Sequence, residues 1–154
     1  MLGRLGRWLR VLGYDAEDAG GRDDDALLRV AESERRMLLT RDTRFVERRA
    51  VRRGSVSALL VLHDHLTDQL RQLHEELGIT QVGPPRCLVC NSALVNIERE
   101  QARGLVPEYV YRTQSRFRYC PHCDRVVWPG THWQEMRRVL SAQGIISADP
   151  SWKG

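Results

Sequence analysis

Apolar residues return every three or four positions at the start of the chain. Leu2, Leu5, Leu9 and Leu12 share one side, and Arg4, Arg7 and Arg10 share the other. That spacing predicts an amphipathic helix ended by Gly13. "YDAED" then reads as a short strand. "GGRDDD" reads as a turn into a helix over "DALLRVAESER", with Asp24 placed to cap it and Leu27, Leu28 and Ala31 facing inward. Next, "RMLLT" predicts a short buried strand ending at Arg41 and Asp42, "TRFVERRAVRRG" a helix closed by Gly54, and "VSALLVLH" a second apolar strand. Leu66, Leu70, Leu73 and Leu77 form a further helical stripe with Gly78 as its stop. Helices alternating with short apolar strands predict a parallel α/β sheet.

The pattern changes at "VGPPRCLVC", where Gly83, Pro84 and Pro85 read as a linker. Beyond it the apolar stripes thin out and two CxxC pairs and several aromatic residues appear, as expected of a small module held by metal. The resulting division is an α/β unit over 1–82, a metal ribbon over 83–145 and a tail over 146–154. With 154 residues and 42% hydrophobic content the chain can bury a real core. No apolar run approaches the roughly 20 residues that span a bilayer, and the Arg-bearing first helix lacks the features of a secretion signal. The expectation is a soluble cytoplasmic protein with no membrane partner.

Dividing the charge sharpens this picture. Residues 1–83 hold 14 Arg against 14 acidic residues, whereas residues 84–154 hold 10 Lys and Arg against 6 acids, so the whole net charge of +4 lies in the second half. That bias suits a polyanion partner. Because 23 of the 24 basic residues are Arg, a genome-wide codon preference explains it equally well.

The most specific motif is Cys87-x-x-Cys90 with Cys120-x-x-Cys123, separated by 29 residues. Two such turns can close four thiolates around one zinc ion, with Arg86, Arg118 and Arg125 near enough to offset its negative charge. The long insert "NSALVNIEREQARGLVPEYVYRTQSRFRY" is expected to carry a hairpin or helix of its own. A redox pair is the rival reading, but nothing around either CxxC resembles a thioredoxin turn. His122 reads as a bystander. A four-thiolate zinc is closed and structural, so chemistry belongs elsewhere.

In a parallel sheet, functional groups gather beyond the carboxyl ends of strands. Asp42 stands just past "MLLT", and Asp24 stands on the loop before the preceding helix. Carboxylates meeting there would repel one another unless a hard cation such as Mg²⁺ or Mn²⁺ lay between them. Taken singly, each acid reads as a helix cap.

"MLGRLGRWLRVLGYD", "DDALLRVAESERRMLLTRD", "RCLVCNSAL", "VPEYVY" and "YCPHCDRVVWPGTHWQEM", in this order from Met1 to about Leu140, resemble the Mut-seven C-terminal RNase family. The resemblance implies a PIN-like parallel sheet with flanking helices followed by a small zinc ribbon, and a metal-dependent ribonuclease. Asp24 and Asp42 match its catalytic acids, and Cys87, Cys90, Cys120 and Cys123 match its zinc ligands. It also implies RNA as the partner, gripped by a basic, aromatic ribbon surface of Arg116, Arg118, Trp128, His132 and Trp133. The alternative for Trp128 and Trp133 is local packing against the ribbon.

Two departures qualify the resemblance. Family members carry a short apolar strand ahead of the "MLGRL" helix, ending in the first acid of the site; this sequence is expected to begin after that strand. A further acid two residues past Asp42 is replaced by Arg44, leaving Asp64, Asp23 or Asp25 as candidates for another ligand. With fewer acids the chain reads as a weaker nuclease, or as an inactive ribbon adaptor that binds RNA or protein.

Overall fold

The computed structural model describes residues 2–147. Helix α1 (Gly3–Val11) forms from the opening stripe and buries Leu5, Leu9 and Val11. Gly13 follows at φ +93°, and a Cβ there would come within 2.7 Å of the Gly83 backbone, so the turn and the linker meet where only glycine fits. Helix α2 (Asp24–Glu34) leads to strand β1 (Leu38–Thr40). Strand β2 (Ala58–Leu60) pairs with β1 in parallel, Leu39 opposite Leu59. Between the two strands the anticipated single helix is broken into α3 (Thr43–Val46) and α4 (Arg49–Arg52). Arg48 is extended at the break (φ −60°, ψ 145°), which frees its guanidinium to reach α2. Helix α5 (Leu66–Leu77) closes at Gly78 in the left-handed region.

After the linker, β3 (Val95–Ile97), β4 (Phe117–Cys120) and β5 (Arg125–Val127) form an antiparallel sheet in the order β3-β4-β5. The insert between the CxxC pairs carries β3, a 3-10 turn (Arg99–Ala102) and helix α6 (Glu108–Thr113), in line with the expectation. Helix α7 (Thr131–Ala142) follows. The whole is a mixed α/β fold with a small parallel sheet, flanking helices and a cysteine ribbon.

Two hydrophobic clusters hold it. The smaller joins Ala102, Val110, Phe117 and Val126 beneath the ribbon sheet. The larger joins Leu5, Leu9 and Leu12 with Val61, Leu70 and Leu73, and also takes in Met136 and Leu140 of α7 followed by Ile145 and Ile146. The helix that follows the ribbon thus completes the core begun by the first helix. Residues 148–154, most of the anticipated tail, lie outside the described residues.

Two expectations for the first eighteen residues need correction. "YDAED" forms no strand, because side chains satisfy its backbone: Asn91 Oδ1 accepts from the Ala16 amide at 3.1 Å, and Arg10 Nε donates to the Ala16 carbonyl at 2.8 Å. Arg10 does not lie on a solvated face. It is only 3% exposed, and it also donates to the Leu88 carbonyl at 2.9 Å and pairs with Asp18 at 3.1 Å. One guanidinium therefore ties α1, the 14–18 segment and the first CxxC turn together. Arg10→Met keeps the bulk but leaves the Ala16 and Leu88 carbonyls without their donor. It is expected to lower stability in urea unfolding by about 2–4 kcal/mol.

Candidate metal centre and acidic rim

The first CxxC turn is built by backbone bonds: the Cys87 amide donates to the Ser92 carbonyl, and the Asn91 amide to the Cys87 carbonyl, both at 2.9 Å. Asn91 takes a left-handed φ of 69°, which asparagine tolerates, and its side chain donates to Asp15 Oδ1 at 2.6 Å. The Arg36 guanidinium beside Asp15 holds that carboxyl below its usual range, and Asn91 adds to the effect. The turn is thus anchored to the α/β unit. The second turn follows β4, where the Cys123 amide donates to Cys120 Sγ at 3.4 Å.

The four sulfurs lie within 4.8 Å of one another. Between the motifs, Cys90 Sγ lies 3.4 Å from Cys120 Sγ and Cys87 Sγ 4.0 Å from Cys123 Sγ, and all four cysteines are free. A tetrahedron with Zn–S bonds of about 2.3 Å has edges of about 3.8 Å, so the cluster has the right size for zinc. Its electrostatics agree. Burial raises the Cys90 thiol, but bonding with Ser92 and the neighbouring cysteines outweighs it and lowers the thiol to about 6. Bonding to Cys90 pushes Cys123 up to about 12, and burial raises Cys120. Such thiols cannot all ionise together unless a cation compensates them, and the donor set can bind zinc. His122 is exposed and takes no part in the cluster.

The acids lie elsewhere. Because β1 and β2 are parallel, their carboxyl ends share one rim, with Asp42 just past β1 and Asp64 past β2. Asp42 caps α3, its Oδ1 accepting from the Arg44 amide at 2.9 Å, while Asp64 pairs with Arg41. Asp24 is not the cap of α2. Asp23 fills that role by accepting from the Ala26 amide at 2.8 Å, and Asp24 is left as the first helical residue. Arg48 holds Asp24 at 3.0 Å and Asp25 at 2.6 Å, so the start of α2 is tied to the end of the short helix that Asp42 caps. The Asp24 and Asp42 side chains are 49% and 46% exposed, open to solvent. Arg44, two residues past Asp42, is exposed beside it. Among the described residues, the cysteines are the one set of three or more candidate ligands gathered at a point.

A rim of acids beyond a parallel sheet and a four-cysteine ribbon now stand in one chain. A family model, described as the Mut7-C RNAse domain, matches residues 1–140. The chain belongs to that family. The match covers both the α/β unit and the ribbon, and runs into α7. No curated protein and no solved structure matches the chain.

For a Mut7-C RNAse domain the anticipated RNA-contacting residues divide by burial. Arg116 and His132 are exposed. Arg118 is corrected: at 2% exposure on β4 it is buried, out of reach of a nucleic acid, and burial followed by the nearby Arg116 charge lowers its pKa. Trp128 is half-buried against the ribbon cluster, while Trp133 packs on the larger core beneath the Arg137 guanidinium, 5.2 Å from its ring centre. Local packing therefore accounts for part of each indole. Sequence reasoning missed Arg48, which pairs with Asp24 and Asp25 at the start of α2, and Arg41, which pairs with Asp64. Their partners lie more than twenty residues away in the sequence, so nothing local signalled them.

Proposed function

We propose that this member of the Mut7-C RNAse domain family is a Mg²⁺- or Mn²⁺-dependent ribonuclease that hydrolyses phosphodiester bonds in RNA. The observation that carries the reading is the acidic rim at the shared carboxyl end of β1 and β2 in a chain of this family. Asp24 and Asp42 would hold the ion. Solvent-open carboxylates suit Mg²⁺, which is commonly bound through one or two of them plus water and phosphate oxygens. When bound, the ion activates water and offsets charge on the phosphodiester.

The chain's own residues prepare this. The Arg44 amide fixes Asp42 Oδ1, leaving Oδ2 to face an ion. Arg48 orients Asp24 through Oδ2, and Arg41 and Arg48 supply positive charge to the rim that RNA phosphates meet. The zinc, held by Cys87, Cys90, Cys120 and Cys123, is structural in this account, and the ribbon assists RNA binding.

One observation favours a second reading, a non-catalytic ribbon adaptor that binds RNA or a protein: each rim acid is already engaged by an arginine or a helix cap. Labelled single-stranded RNA incubated with zinc-loaded protein separates the two. Nuclease action predicts cleavage that appears on adding Mg²⁺ or Mn²⁺ and is absent without them. Salt-sensitive binding with no turnover under either condition would leave the adaptor.

A further inference from the structure

The ribbon carries a groove of about 580 Å³, within the range of small-ligand sites. Trp128 and Tyr119 supply its aromatic surface, Leu105 its apolar rim, and Asp124 and Arg125 its charges. Tyr119 and Val126 face each other across β4 and β5, so aromatic wall and floor rest on the ribbon cluster. Leu105 is 66% exposed, an apolar side chain left in water beside this wall. Gly130 keeps the wall in place: a Cβ there would lie 3.1 Å from Trp128 Nε1, and the Gly130 amide donates to the Trp128 carbonyl at 2.9 Å.

The charges are arranged for a ligand with both donors and a phosphate. Asp124 sits in a left-handed turn (φ 51°), and Tyr119 donates its hydroxyl to Asp124 Oδ1 at 2.6 Å. That bond orients the carboxylate yet uses one of its roughly four acceptor positions, leaving Oδ2 and part of Oδ1 open. Arg125 is exposed and makes no ion pair with any described residue, although its neighbour is an aspartate. A positioned carboxylate accepts best from two adjacent N–H groups, and among the RNA bases only guanine presents such a pair, N1–H and the N2 amino group. Adenine and cytosine set one donor beside an acceptor nitrogen, and uracil sets its single N–H between two carbonyls.

We propose that this groove binds one unpaired guanine nucleotide, its base stacked on Trp128, its N1–H and N2–H donated to Asp124, and its phosphate paired with Arg125. The site deepens the ribonuclease reading, on which its RNA partner rests, by giving the ribbon a base preference.

The test uses the full zinc-loaded chain and the four ribonucleoside 5′-monophosphates. Binding is followed through the Trp128 indole N–H resonance, assigned by its loss in Trp128→Phe. Guanosine monophosphate is expected to shift that resonance and to bind roughly 10-fold or more tighter than the other three. Asp124→Asn, whose side chain also tolerates the left-handed turn, should erase the preference. Arg125→Gln should weaken all four nucleotides alike. Equal binding of guanosine and adenosine monophosphates by the unaltered protein, or a preference that survives in Asp124→Asn, would overturn the assignment. Because these monoesters contain no bond for the rim to cleave, the readout is independent of catalysis. Guanine preference without RNA cleavage would keep the groove and reject the nuclease, and cleavage without preference would do the reverse.

Discussion

Cys120→Ser is expected to dissolve the ribbon and to unfold the α/β unit with it. Four thiols at this spacing supply little core of their own, and the cluster beneath the ribbon sheet is small. The zinc they can hold therefore contributes most of the ribbon's stability, on the order of 10 kcal/mol by analogy with zinc-finger peptides. That matches the entire stability of an ordinary domain. The loss spreads because the ribbon is not a separate bead. Met136 and Leu140 of the following helix complete the core of α1, and Arg10 and Asn91 fasten the first CxxC turn to residues 15–18. Circular dichroism during heating, with zinc content measured in parallel, should show a cooperative transition in the parent protein and none in Cys120→Ser. An unchanged transition in the zinc-free variant would mean that the α/β core stands without the ribbon.

Asp42→Asn is expected to lower RNA cleavage by at least about 100-fold while leaving the melting temperature near that of the parent. Asp42 serves two ends: it caps α3 through the Arg44 amide, and in the proposed mechanism its other oxygen faces the divalent ion. Asparagine caps a helix as well as aspartate does, so the structural role survives. Its neutral amide is a poor ligand for Mg²⁺ in a site with few carboxylates, and loss of such a ligand costs more than the 10- to 100-fold typical of residues that merely orient one. Asp42→Ala would mix the two effects by adding a capping loss of about 1 kcal/mol.

How far the sequence could be read depended on where each backbone bond and each charge found its partner. Helices α1, α2 and α5 were legible because a stripe of Leu or Ala fixes the buried face, and Gly13 and Gly78 take left-handed turns at two of their ends. The four cysteines were legible because the CxxC spacing is itself the geometry of a turn. Arg10 was not, since a helical wheel assigns arginine to water and cannot know that two carbonyls outside the helix, Ala16 and the distant Leu88, await it. The break at Arg48 was hidden for a related reason: its partners, Asp24 and Asp25, are more than twenty residues away. In "DDD" nothing local distinguishes the residue that caps from the one left free to pair. No helix was anticipated over "WQEMRRVL", which fell within the metal ribbon, and nothing in that stretch tells that Met136 and Leu140 close the core of the first helix.

The cleavage rate of one single-stranded RNA by the parent protein and by Asp42→Asn, at equal zinc content and the same Mg²⁺ concentration, tests the central claim most directly. The account predicts Mg²⁺-dependent cleavage by the parent and a fall of at least about 100-fold in a variant that melts at the same temperature. Equal rates from the two proteins would contradict it.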